Sequence, residues 1–215
     1  MSTFVVSYYV ITHLYYIWHR YNMLLRTKAA SLIITKQVII KKTNENHRKA
    51  ARMRRQRGYH WEDTLVKRFN SSKKWKAFRL GSPSIALPDV LAVNSEESTI
   101  YTIEAKSGTS IALPVPADQI ERCLEWTKTF RIYRKRNVLL AFKFLSKKRI
   151  GLRKYESREL REYYKIWDES LEITDCVCTY EGKFFAKIDG TRKELFLKEC
   201  LMPFKTKQRN NVLIQ

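Results

Sequence analysis

Pro88-Asp89-Val90-Leu91-Ala92-Val93-Asn94, Ser95-Glu96-Glu97-Ser98 and Thr99-Ile100-Tyr101-Thr102-Ile103-Glu104-Ala105-Lys106 follow one another without a break. The outer two pieces are rich in β-branched and aliphatic residues, and the polar tetrad between them has the composition of a turn, so the stretch reads as a β-hairpin. With Ser95 to Ser98 as the loop, Asn94 pairs with Thr99. Counting back along both strands then sets Asp89 opposite Glu104.

Directly opposed side chains of an antiparallel pair have Cβ atoms about 4.5 to 5.5 Å apart, and like charges there are destabilising unless something neutralises them. A divalent cation would do so. Lys106 lies two residues beyond Glu104, so the period of a strand sends its amine to the face that carries both acids. Val90, Ala92, Tyr101, Ile103 and Ala105 fall on the other face and suit a strand packed under a helix. The plainer alternative is a surface hairpin in which Lys106 merely offsets two acids. Glu62 weighs against it. It stands among Trp61, Leu65, Val66 and Phe69, the inward positions of a helix, where an unpaired charge is expensive. Ligands that are all oxygen point to magnesium, with manganese as a substitute, rather than to zinc or copper.

Around this hairpin the pattern alternates between β-rich and helical runs. Strands are predicted at 75–79, 88–94, 99–106, 137–144, 176–180 and 183–188, and helices at 117–130, 156–168 and 191–200. The helix from 117 follows Pro114 and Pro116, has Asp118 in its first turn, and carries Ile120, Cys123 and Leu124 on one side. The expected architecture is α/β, a mixed central β-sheet flanked by helices.

The chain of 215 residues holds 42 Lys and Arg against 21 Asp and Glu, a net charge of +21. That excess implies a polyanionic partner, and charge alone does not choose between nucleic acid and an anionic membrane surface. Between Lys41 and His60, eight basic residues (Lys41, Lys42, Arg48, Lys49, Arg52, Arg54, Arg55, Arg57) face a single acid, Glu45, directly ahead of the Trp61 helix. Arg52, Arg54, Arg55 and Arg57 are therefore candidates for phosphate contacts that position DNA rather than read its bases. A solvated basic arm is the bland alternative. Cys123, Cys176, Cys178 and Cys200 lack the paired spacing of a zinc site, and they read as reduced, buried side chains.

Residues 1–19 contain no charged side chain, but they lack the positive leader and small-residue cleavage site of a secretory signal. Three readings stay open for them: an N-terminal anchor or helix that associates with a membrane, an appendage without function, or a start set too far upstream of Met23 or Met53. The protein is expected to be cytoplasmic and nucleoid-associated, not secreted. The expected division is an apolar extension (1–40), a basic arm (41–57), a folded domain that carries the hairpin (58–205) and a C-terminal tail (206–215).

The ordered set Glu62, Pro88-Asp89 and Glu104-Ala105-Lys106 resembles the PD-(D/E)xK nuclease signature. With Arg57-Gly58, Phe78-Arg79, Gly81-Ser82, Ile103 to Ser107 and Gln119, the pattern is similar to the archaeal Holliday junction resolvases over about residues 52 to 145. The resemblance implies a restriction-endonuclease-like fold and a magnesium-dependent homodimer that cuts four-way DNA junctions. It implies Asp89, Glu104 and the carbonyl of Ala105 as metal ligands, with Glu62 completing the site directly or through water. Lys106 would orient or deprotonate the attacking water, and Arg79 and Ser82 would contact the phosphodiester, with Gln119 among the DNA-facing residues. The chain departs from the family at Val115-Pro116-Ala117-Asp118, where basic residues are usual. The alternatives are a duplex-cutting restriction or repair nuclease of the same fold, and a junction-binding dimer that does not cut.

Overall fold

The computed structural model describes residues 45, 48–49, 51–53, 55–56, 58–80, 86–152 and 154–206. The chain divides into two units, Met1–Met53 and Arg54–Gln215, and the architecture below is that of the second. The expectations for the apolar extension 1–40 fall outside the described residues, as do those for most of the tail from 206. Among the described residues no helix is long and apolar enough to cross a membrane.

Residues 58–71 are helical, a stretch labelled α1, and they bury Trp61, Leu65 and Phe69 at a spacing of four. That spacing lines one side of a helix with apolar groups and fixes which side meets the sheet. Asn70 ties the end of α1 to β1 (Lys76–Arg79), because its amide accepts from the Ala77 N–H at 2.7 Å and donates to the Ala77 carbonyl at 3.0 Å.

From there the chain runs through β2 (Val90–Asn94), β3 (Thr99–Gly108), β4 (Ala112–Val115), α2 (Ala117–Thr129) and β5 (Lys135–Phe144). The rest is all strand: β6 (Lys147–Gly151), β7 (Lys154–Ser157), β8 (Arg161–Ile166), β9 (Cys176–Thr179), β10 (Phe184–Ile188), β11 (Thr191–Leu195) and β12 (Lys198–Glu199). The central sheet has the order β1, β2, β3, β5, β8, β12, and β3 and β5 are its parallel pair, joined across α2. Every other neighbouring pair in it is antiparallel, so the sheet is mixed as expected. A smaller sheet takes the order β11, β10, β9, β4, and β6 pairs only with β7.

Both faces of the central sheet are covered. Trp61, Leu65 and Phe69 of α1 pack with Val90, Ala92, Ile103, Ala105, Leu139, Ala141 and Tyr164. On the other face, Ile120, Cys123 and Leu124 of α2, with the small sheet, pack on Val138, Leu140, Phe142 and Phe144. β5 thus buries alternate residues on opposite sides, which is why Val138 to Phe142 form an unbroken apolar run rather than an alternating one. All four cysteines are buried.

Two predicted helices are strands instead. Residues 156–168 contain the end of β7 and all of β8, and residues 191–200 hold β11 and β12. In β8, Glu162 and Tyr164 are fully buried while Arg161 and Tyr163 are only partly so, a period of two that the charged letters disguise. Glu162 looks like a surface charge in sequence, yet Arg68 of α1 grips it with two hydrogen bonds of 2.7 and 3.1 Å. β4 was not predicted, because Pro114 lies inside it. It is tolerated there because β4 is an edge strand, with a ladder partner on one side only.

Candidate active site

The hairpin register is the one that the loop composition predicts: Asn94 pairs with Thr99 and Val90 with Ile103. Asp89, one residue ahead of β2, therefore falls opposite Glu104. Its carboxylate is held by the β3 backbone, where Oδ2 accepts from the Ala105 N–H at 2.8 Å. The apolar face opposite is covered by α1, also as predicted.

Glu104 is 1 % exposed and is the most deeply buried acid of the group. Lys106 Nζ donates to its Oε1 at 2.6 Å, so the acid and the amine share a face as strand periodicity requires. Its second oxygen, Oε2, accepts from Arg122 Nη2 at 2.9 Å. Arg122 is absent from the sequence reading. The helix is phased for this contact by Thr102, whose hydroxyl donates to the Cys123 carbonyl at 3.0 Å and pins α2 over β3. Thr102 precedes Glu104 by two residues and Cys123 follows Arg122 by one, so that single bond sets the arginine beside the acid. The signal was available, since a buried carboxylate needs more than one cationic or N–H partner and α2 is the next element to cross β3.

Burial and the Glu104 charge together push the Asp89 carboxyl up to about 6, against the lowering effects of the Ala105 N–H, Lys106 and Arg122. Glu62, on the second position of the buried stretch of α1, is pushed up to about 7 by burial first and by Asp89 next. Three acids, one on α1, one just ahead of β2 and one on β3, thus have their charges close together. Arg79, which pairs across the strands with Val90, offsets some of it. It lowers Glu62, approaches Asp63 at 3.5 Å, and lies over the Tyr59 ring at 5.1 Å.

The remaining predicted residues divide. Gln119 lies one helical turn ahead of Arg122, and among the described residues its buried Oε1 has no hydrogen-bond partner. Trp126, one turn beyond Arg122, donates from Nε1 to the Ala86 carbonyl at 2.9 Å, so this side of α2 lies along the chain leading to Asp89. Arg52 and Arg55 are helical and exposed. Arg54, Arg57 and Ser82 lie outside the described residues.

Among the described residues, no three His, Cys, Asp or Glu side chains converge closely enough to hold an ion as they stand. This departs from the expected convergence of Glu62, Asp89 and Glu104. The physical reason is that Lys106 and Arg122 take both oxygens of Glu104, and the Ala105 N–H takes one of Asp89. The chemistry of the donors nevertheless fits a hard divalent cation, because Glu62 and Asp89 are oxygen donors pushed up first by burial and then by a neighbouring acid, a repulsion that a bound cation would offset.

A mixed sheet covered by helices, with acids and a lysine gathered at one edge of its hairpin, is the architecture of a restriction-endonuclease-like nuclease. A family model described as archaeal Holliday junction resolvase (Hjc) matches residues 53–183. The match spans more than half of the chain, and the chain belongs to this family of nucleases that resolve four-way DNA junctions. A solved structure of the Archaeoglobus fulgidus Hjc, a Holliday junction resolvase from an archaeal hyperthermophile, is 21% identical, covering 49% of this chain and 72% of that one at a TM-score of 0.34. The family match, not this likeness, carries the assignment. A comparison with curated proteins yields no match.

Proposed function

We propose that the chain cuts four-way junctions as a homodimer by magnesium-dependent hydrolysis of a phosphodiester, with one site per subunit built on Asp89, Glu104 and Lys106. The observation that supports this best is the buried Glu104, held between Lys106 and Arg122 beside Asp89. Asp89, Glu104 and the carbonyl of Ala105 would hold magnesium or manganese, with Glu62 joining directly or through water. A bound cation would supply Lewis-acid polarisation of the phosphate and a water of lowered pKa.

The chain's own groups do the rest. The Lys106 amine, fixed by its bond to Glu104, presents positive charge where charge builds up on the scissile phosphate. Arg122 holds Glu104 in one orientation from the helix side. Arg79 stands at the outer edge, partly exposed, where it can take a phosphate oxygen, and Ser82 and Gln119 are further candidates for DNA contact. The large net positive charge binds the arms of the junction without reading their sequence.

The deciding experiment incubates the protein with labelled four-way junction and with matched linear duplex, in magnesium and in chelator. Symmetric junction cleavage in magnesium alone is expected. Equal cutting of linear duplex would point to a duplex nuclease of the same fold, and binding without any cutting to an architectural protein.

A further inference from the structure

The β6–β7 ribbon joins neither sheet, yet its root is firmly tied. The Leu145 N–H donates to the Gly108 carbonyl at 2.9 Å, the Arg149 N–H to Thr109 at 3.0 Å and the Arg158 N–H to Ser146 at 2.8 Å. The Arg158 guanidinium adds bonds to the carbonyls of Leu145 (2.9 Å) and Ser110 (3.0 Å) and lies over the Tyr180 ring at 4.5 Å. Gly108 is two residues beyond Lys106 on β3, so the ribbon leaves the molecule about 7 Å along the strand from the candidate site.

Beyond its root the ribbon is largely open to solvent. All four residues of β7 are exposed, and so are Ile150 and Leu152 near the turn. A bare two-stranded hairpin is marginal in water and gains little from folding for its own sake. Its composition names a partner. Lys147, Lys148, Arg149, Arg153 and Lys154 stand against one acid, Glu156. The register separates these charges by face. Lys147 and Arg149 share a face with Tyr155, whereas Lys148 and Glu156 oppose each other on the other face, where they form an ion pair at 3.9 Å. One face is therefore cationic and aromatic, with no acid on it.

We propose that this face of the β6–β7 ribbon is a second DNA-binding surface, which grips backbone phosphates of the junction arm being cut, beside the scissile one. The inference rests on the junction-resolving reading and adds a contact to it. The geometry suits the task, because a phosphate at Lys106 places others of the same duplex arm within reach of a ribbon rooted so near, and a two-stranded ribbon is narrow enough to follow a groove.

The test measures junction affinity in chelator across a salt series, using the full chain. Replacing Lys147 and Arg149 with Gln should make the slope of log affinity against log salt shallower by about 2, since each phosphate contact contributes about 0.9. Replacing Lys187 and Arg192 of β10 and β11 with Gln removes the same charge elsewhere and should leave the slope nearly as in the parent. A ribbon variant whose slope matches the parent, or falls no further than the β10–β11 control, overturns the proposal while the resolvase reading stands. If the ribbon variant fails to fold, the single variants Lys147→Gln and Arg149→Gln decide. Each should make the slope shallower by about 0.9, and no change in either would overturn the proposal. A parent chain that binds no junction at all overturns both.

Discussion

Arg122 on α2 and Glu104 on β3 are joined at 2.9 Å across the layer between helix and sheet, and Glu104 is otherwise closed off from water. The arginine does for this carboxylate what solvent cannot. Removing one partner of a buried ion pair typically costs about 3–5 kcal/mol, because the other charge stays behind unpaired. Arg122→Gln should therefore lower unfolding stability by an amount of that order, read by urea titration. Lys106 still neutralises part of that charge, so the loss should fall toward the low end of this range, and it should be smaller again in the double variant Arg122→Gln, Glu104→Gln, which leaves no carboxylate charge buried there. Equal losses would show that the contact is incidental.

The proposed chemistry separates the site from the binding surface. Asp89→Ala and Glu104→Ala should each abolish junction cleavage while leaving junction affinity in chelator nearly unchanged. Lys106→Ala should slow cleavage by on the order of 100-fold or more, the usual effect of losing one charge-stabilising donor. Single-turnover cleavage beside gel-shift binding checks all three, and cutting that survives both acid substitutions would remove the site.

Glu62 and Asp89 make the metal-free protein sensitive to pH in a definite direction. Folding raises Glu62 from 4.5 to about 7 and Asp89 from 3.8 to about 6, so the fold favours their neutral forms. Their stabilisation is complete below the unfolded values and is lost as pH rises toward 6 and 7. In chelator, Tm at pH 8 should lie below that at pH 5, with these groups contributing on the order of 2 kcal/mol. Glu62→Gln should flatten the profile. Magnesium should restore stability at pH 8 in the parent and restore less in Asp89→Asn.

What the sequence disclosed depended on how local the determining contacts are. The β2–β3 register was legible because a four-residue polar loop fixes it, and register alone sets Asp89 against Glu104 and Lys106 beside it. The burial of α1 was legible from Trp61, Leu65 and Phe69. Arg122 was not, because its role comes from how α2 crosses β3, and that is set by the Thr102 bond to Cys123, 21 residues away. β8 was misread for a related reason. Its alternation includes a buried Glu162, and only a partner 94 residues distant, Arg68, makes that burial affordable. The failure of three acids to close on one point was equally out of reach, since it turns on which side chain occupies each carboxylate oxygen.

Glu162 offers a contrast with Glu104 that separates structural from functional acids. Both are buried carboxylates gripped by an arginine, and either could pass in sequence for a site residue. Glu162 is fully buried, bonded to both terminal guanidinium nitrogens of Arg68 and to the Tyr164 hydroxyl at 3.1 Å. Its place is between α1 and β8, where it joins the helix to the sheet. Arg68→Ala should thus destabilise by about 3–5 kcal/mol, as for any broken buried pair. Arg68→Lys should recover only part of this, because an ammonium cannot reproduce the two-pronged bond. At temperatures where the Arg68→Lys protein is still folded, its junction cleavage rate should equal that of the parent. A rate that falls with the structure intact, judged by circular dichroism beside the cleavage assay, would mean that the Arg68–Glu162 pair reaches the site after all.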